Sequence, residues 1–326
     1  METWKRTVYI SLVCVFCTAF GVSQLAPILP LYFHDLGVQT PEAMSLWSGL
    51  ATGATYIIVC LAAPFWGRVA DKKGRKITLI RSSFGMALCN VLIAFQTTPE
   101  GVLIRLVQGL VSGFYSASIT LIASESPIER TGWALGLLAS ANLAGSLIGP
   151  LLGGYIADTV GIRNDFIIVG TLMGLAGVLA TIFIHENYIP QPNPEKLSIR
   201  KLKEQIPEFN SIVALCVASF IYAICIMSLQ PVISVYIKGI VPSDTENLAF
   251  IAGAVFSAMG IAQLMSSSPL GKLVDKIGPR KVLVVSLIYV GILNIPQAYV
   301  SDVYQLAIIR FLQGFGLGGM LPALNT

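Results

Sequence analysis

Ten apolar segments, each close to the roughly 20 residues a helix needs to cross about 30 Å of hydrocarbon, leave this chain few folds to choose from. They fall at approximately 8–33, 44–66, 77–97, 101–124, 132–157, 166–185, 210–237, 248–270, 281–300 and 303–326, and are called spans 1 to 10 below. Only 12% of the residues are charged and mean hydropathy is +0.75, whereas a soluble domain carries about 25% charged residues. Every backbone N–H and C=O in hydrocarbon must find its partner inside the protein, so segments of this length mean a helical bundle; barrel strands are shorter and alternate in polarity. The fold class expected is an all-α polytopic membrane protein. Span 1 follows Lys5-Arg6, and its apolar run is too long for a signal peptide and lacks a small-residue cleavage site, so it is expected to be retained as a helix.

Basic residues orient the spans. With the N-terminus inside, 16 of the 21 Lys and Arg fall in inner loops and only Arg163 and Lys238 in outer ones. That asymmetry predicts a cytoplasmic N-terminus and a cytoplasmic central linker in a plasma membrane, most simply a bacterial one. The net charge of +4 is spent on loops beside an anionic leaflet and calls for no nucleic acid. All six cysteines, Cys14, Cys17, Cys60, Cys89, Cys216 and Cys225, lie within spans and read as small packing residues. The two histidines, His34 and His185, fall at opposite membrane faces, and neither H-E-x-x-H nor G-x-S-x-G occurs. An enzyme is therefore not expected, nor a metal or other cofactor.

The chain is also a repeat. At an offset of 204 Pro27 pairs with Pro231, Gly67 with Gly271, Asp71 with Asp275 and Gly74 with Gly278. One inserted residue, Pro279, then shifts the offset to 205, at which RLVQGLVSG (Arg105 to Gly113) pairs with RFLQGFGLG (Arg310 to Gly318). The unit is six helices, and two six-helix halves joined by a central link form a transporter architecture with substrate held between them. The division expected is a six-helix bundle at 1–185, a linker at 186–209 and spans 7–10 at 210–326. Within the linker, Ile199, Leu202, Ile206 and Phe209 recur at helical spacing and predict a helix lying on the membrane surface. Span 4 ends near Ser124, so span 10 should end near position 329, beyond Thr326; spans 11 and 12 are then expected to be missing from this sequence.

The charged stretch GRVADKKGRK (Gly67 to Lys76) and its echo GKLVDKIGPRK (Gly271 to Lys281) form the turns between spans 2 and 3 and between spans 8 and 9. Gly67 and Gly271 suit close helix approach, and Gly74 and Gly278 suit a sharp turn. Asp71 and Asp275 suit the N-terminus of a helix in the opposite half. Arg75 would pair with Glu125 at the inner end of span 4, and Arg280 repeats the Arg75 charge. In span 5, GSLIGPLLGG places Gly145, Gly149 and Gly153 four apart on one face, with Pro150 removing a backbone hydrogen bond and Gly154 following. This is a tight seam with a bend in it.

These motifs carry a resemblance. GRVADKKGRK resembles the G-x-x-x-D-x-x-G-R-[RK] signature of the major facilitator superfamily, RLVQGLVSG its span-4 signature, and GSLIGPLLGG the G-x-x-x-G-P-x-x-G-G signature of its drug:proton antiporters. With PFWGRVADKKGRK, LIRSSFGMAL and GWALGLL, the chain is similar to the MdtG branch of multidrug efflux transporters. The resemblance implies a monomeric carrier in the bilayer that exports amphipathic compounds in exchange for protons by alternating access, and it implies a role for Arg105 in proton coupling. The alternatives are a symporter or uniporter for a small polar nutrient, and a truncated product that does not transport. No Asp or Glu lies near the centre of any span, and Asp35, beside His34 at the outer end of span 1, is the nearest candidate proton carrier. Arg81 is expected to snorkel to the inner interface. Gln24, Tyr32, Tyr56, Tyr115, Asn142, Tyr222, Met227 and Gln230 are the polar or soft side chains expected around a substrate cavity. If the first charged turn docks on span 11, as the resemblance implies, then by symmetry Asp275 should lie near Thr131 and Gly132 at the start of span 5.

Overall fold

A computed structural model describes residues 3–186, 209–242 and 245–325. The amphipathic linker helix expected at 199–209 thus falls almost wholly outside the described residues, as do the side chains of Tyr222 and Asp275. The expected placement of Asp275 near Thr131 and Gly132 therefore lies outside the described residues.

All ten spans are helical. Span 1 is α1 (Thr3–Ser23) followed by α2 (Leu25–Asp35); spans 2 and 3 are α3 (Pro41–Lys73) and α4 (Arg75–Ala94). Span 4 is a 3₁₀ turn (Pro99–Leu103), α5 (Ile104–Val111) and α6 (Phe114–Glu125), and spans 5 and 6 are α7 (Ile128–Val160) and α8 (Ile162–Phe183). Spans 7 to 10 are α9 (Phe209–Ile240), α10 (Leu248–Ile277), α11 (Pro279–Gln297) and α12 (Val303–Asn325). Among the described residues, eight helical stretches are long and apolar enough to cross a membrane.

Glycines in the left-handed region make the tight corners. Gly74 (φ 92°) ends α3 and begins α4, its N–H donating to the Ala70 carbonyl at 2.9 Å. Gly278 (φ 89°) does the same between α10 and α11, bonding Val274 at 2.9 Å. No L side chain adopts that φ cheaply, which is why the two turns carry glycine at the same place in the repeat.

Packing groups the chain into two units, Met1–Pro190 with Pro231–Ser257, and Gln191–Gln230 with Ala258–Thr326. The segment 231–257, which the sequence division puts with the second half, goes with the first. In the first unit one apolar core gathers Leu25, Ile28, Tyr32, Phe33, Ile93 and Phe166 at the end away from the N-terminus. Another gathers Val8, Cys14, Leu79, Leu121, Leu138 and Ala180 at the N-terminal end. In the second unit Val290, Leu317 and Met320 pack with Ile226 and Met259.

The repeat seen in the sequence is present as contacts. A Cβ at Gly109 would meet the Thr55 carbonyl and Ile58, and one at Gly314 the Met259 carbonyl and Ala262. Position 109 plus 205 is 314, and 55 plus 204 is 259, so each half brings its fourth span against its second through the same glycine and the same carbonyl.

Candidate functional site

The span-5 glycines build one seam in the first unit. A Cβ at Gly145 would strike the Phe16 carbonyl and Ala19, one at Gly149 Ser23 and the Phe20 carbonyl, and one at Gly153 the side chain of Gln24. The three glycines climb α1 turn by turn and stop where α1 gives way to α2. In lipid no hydrophobic effect drives helices together, so close backbone approach through small residues supplies the packing energy instead. The next residue, Gly154, faces elsewhere: its Cβ would enter Ala249 and Phe250 of α10, while a Cβ at Gly253 would enter the Pro150 carbonyl. Ser257 donates to the Leu147 carbonyl at 2.8 Å, and Asp158 at the tip of α7 accepts from the N–H groups of Ala249 (3.1 Å) and Phe250 (2.7 Å). A carboxylate here answers both the orphan donors and the positive dipole end of α10. The motif thus touches α1 on one face and the start of α10 on the other.

The first charged turn lines a cavity. Gly67, Asp71 and Arg75 line a cavity of ≈ 340 Å³ together with Trp66, Arg81, Ser112 and Gly113. A Cβ at Gly67 would meet nothing within 4 Å, so the close approach expected at that glycine is not used among the described residues. The N-terminus of α4 is held by Glu186, whose carboxylate accepts from Arg75 N at 2.7 Å and Lys76 N at 2.8 Å. Lys76 Nζ adds a bond to the Thr181 carbonyl at 2.8 Å. Glu186 falls at the first position of the expected linker, and the sequence signal for its role is an acid just past span 6, at the same membrane face as the start of α4. Glu125 ends α6. In the second half Gly271 is half-buried and Arg280 exposed.

Arg81 does not snorkel. Its guanidinium lies 3.5 Å from the Trp66 ring centroid and donates to the carbonyls of Leu110 (3.1 Å) and Ser112 (2.9 Å). Those carbonyls flank the interruption of span 4, where Gly113 takes φ 109°. Trp66 Nε1 donates to the Leu110 carbonyl as well, at 2.7 Å. Side chains from α3 and α4 thereby satisfy backbone groups that the break releases, the condition for broken helices in hydrocarbon.

Of the coupling residues, Arg105 is buried and donates from Nη1 to Gln108 Oε1 at 2.9 Å, while its Nε has no hydrogen-bond partner. It also borders a second cavity, of ≈ 210 Å³, with Trp47 and Leu106. Asp35 is a surface carboxylate, more than half exposed, 3.8 Å from His34 Nδ1. That is a poor place to carry a proton across a bilayer. Of the first unit's five cavity candidates, Tyr115 sits on α6, and Gln24, Tyr32, Tyr56 and Asn142 do not border the ≈ 340 Å³ cavity. Tyr32 is fully buried, its hydroxyl donating to the Ile93 carbonyl at 2.6 Å and its ring edge-on to Phe166 at 5.0 Å. Gln24 is fully buried and donates to Asp165 at 3.0 Å. Both are packed and paired in this conformation. Tyr56 is exposed, and Tyr115, Asn142, Met227 and Gln230 are half-buried. Cys14 and Cys17 are buried free thiols, Cys14 Sγ lying 3.3 Å from the Ala176 carbonyl.

The description of the Major Facilitator Superfamily matches residues 11–241 and 215–326. The chain belongs to that superfamily. It is 40% identical over 324 residues to multidrug resistance protein MdtG of Dickeya zeae (strain Ech586), covering 99% of this chain and 79% of that protein. The MdtG of Salmonella dublin is 38% identical over the same length, with 99% and 80% covered. Among solved structures, a bacterial homologue of the human lysosomal transporter Spinster, inward-facing and unoccupied, superposes with TM-score 0.73 at 14% identity, covering 98% of this chain and 74% of that one. A D-xylose-proton symporter gives 0.69 at 17% identity, covering 98% and 80%. At such identities the two structures speak for the fold alone. With the apolar spans, these findings establish a multi-pass membrane protein of a transporter superfamily.

Proposed function

We propose that this chain exports amphipathic compounds from the cytoplasm in exchange for protons, by alternating access. The observation that carries the reading is the likeness, near 40% over almost the whole chain, to proteins named for multidrug resistance. The geometry supports an exchanger: α7 is seated by glycines on span 1 from Phe16 to Gln24 and on the first turns of α10, so a shift of one helix is felt at both contacts. It gives less support to the nutrient carrier, since two of the polar side chains that would bind a sugar, Gln24 and Tyr32, are already paired within the first unit. The far end of the first unit, where Asp158 and Asp35 lie, faces outward; the end with the N-terminus and Glu186 faces the cytoplasm of a bacterial cell, and the carrier acts as a monomer.

The test is fluorescence of a cationic dye in inside-out vesicles from cells producing the chain. Energisation should draw dye in, and a protonophore should release it. Dye movement no faster than in vesicles without the protein would end this reading, and energised uptake of labelled sugars instead would favour the nutrient carrier.

A further inference from the structure

The fully buried pair Gln24 and Asp165 is one hydrogen short. Gln24 Nε2 donates to Asp165 Oδ2 at 3.0 Å, while Gln24 Oε1 and Asp165 Oδ1 have no hydrogen-bond partner. Both residues are 0% exposed. An amide oxygen only accepts, and so does each oxygen of an ionised carboxylate. Exchanging the amide's oxygen and nitrogen changes which oxygen is orphaned but brings in no donor. An ionised Asp165 would be a buried charge served by one neutral N–H, an arrangement proteins avoid by pairing or neutralising the group. A hydrogen on Asp165 turns one oxygen into a donor, and that O–H, given to Gln24 Oε1, leaves both groups satisfied.

Among the described residues the surroundings offer no cation to do the same work: Lys238 of α9 is half-buried and its charge acts on Asp35. On α8 itself Arg163 is exposed. From α7, Asp158 is committed to Ala249 and Phe250, and Glu129 and Arg130 belong to that helix's opposite end. From α2, Tyr32 is bonded to Ile93, and His34 and Asp35 stand at the surface. From α4, Cys89 is buried without charge to give, and Arg81 is held at the span-4 break. Lys76 of α4 and Arg6 of α1 do reach α8 or its end, but at Thr181 and His185, sixteen or more residues and about 24 Å along the helix from Asp165. Of α1's thiols, Cys14 touches Ala176.

We propose that Asp165 is a proton-binding site of this transporter: it sits here as a neutral acid in a two-way bond with the Gln24 amide, and it gives up that proton when span 1 moves at Gln24. This rests on the proton-exchange reading above. On release the O–H bond breaks, its electron pair stays on the carboxylate and the proton passes to water. The carboxylate left behind is short of donors and must reach water, so it cannot remain packed as drawn. Gln24 carries that constraint outward, because it fills the junction between Ser23 and Leu25 and lies against Gly153 of α7. Among the described residues Asp165 is the one acidic side chain in the buried class.

Infrared spectroscopy of the purified protein at neutral pH reads the acid directly. Wild type should show a protonated-carboxyl C=O stretch that shifts in D₂O and is lost in Asp165→Asn, whose amide can still pair with Gln24. In Gln24→Ala the band should persist at higher frequency, its acceptor gone. An identical carboxyl region in wild type and Asp165→Asn overturns the proposal, as does a band that ignores Gln24→Ala. In proteoliposomes, Asp165→Asn should lose dye transport driven by an imposed pH gradient while retaining gradient-free dye exchange. Wild-type transport indifferent to the gradient would sink proton exchange as the function and leave the infrared result to judge Asp165. A gradient response equal in wild type and Asp165→Asn would sink the role of Asp165 alone.

Discussion

Asp35, Asp158, Asp165 and Glu186 all stand near helix ends, and only their surroundings separate them. Asp35 is solvated, Asp158 and Glu186 each receive two successive backbone N–H groups, and Asp165 is sealed against one amide. None of this is visible in the residue type: Asp35 stands out in the sequence beside His34 at the outer end of span 1, whereas Asp165 reads as part of an outer loop beside Arg163 until the start of α8 is known. Losing a helix cap costs about 1 kcal/mol, up to about 2 in favourable sites. Glu186→Ala should therefore lower the melting temperature in detergent measurably, and Glu186→Gln, keeping one acceptor, by about half as much. Equal melting of all three proteins would show that the cap contributes nothing.

Span 4 and span 10 carry the same signature and fold differently. Span 10 runs unbroken through Gly318, which packs on Gln263 and Ser266, while the equivalent Gly113 takes φ 109° between α5 and α6. At the positions of Trp66 and Arg81 the second half has Leu270 and Ser286, whose side chains instead pack on Gly319. The repeat was legible because glycines and charges recur in register; the break was not, because it is decided by two side chains arriving from other helices. A Trp66→Leu/Arg81→Ser protein should close span 4 into a continuous helix, seen as slower hydrogen exchange at the amides of residues 112–116. Exchange unchanged in that protein would mean the break has another cause. Filling the span-5 seam is a separate test. Gly153→Leu must displace Gln24 and should cost about 1–3 kcal/mol as overpacking does, with gradient-driven dye transport lost.

At the scale of the molecule, ten helices and their order follow from apolar length alone, since hydrocarbon permits a spanning chain almost nothing else. Where the packing units divide does not follow, because 231–257 attaches to the first unit through backbone contacts at Gly154 and Gly253 that hydropathy cannot register. The carboxylate joints have a consequence for how freely the chain can vary. At the first turns of α4 and α10, Glu186 and Asp158 hold main-chain N–H groups, so the joint is blind to the side chains at Arg75 and Ala249. Most replacements there should leave these bonds standing, whatever they do to the packing of the buried Ala249. Proline is the exception, and an unusual one: the opening turn of a helix is where it is ordinarily welcome, its missing N–H being surplus. At these two tips that N–H is the half of the joint the sequence must keep, so the substitution that general rules favour most is the one this protein can least accept.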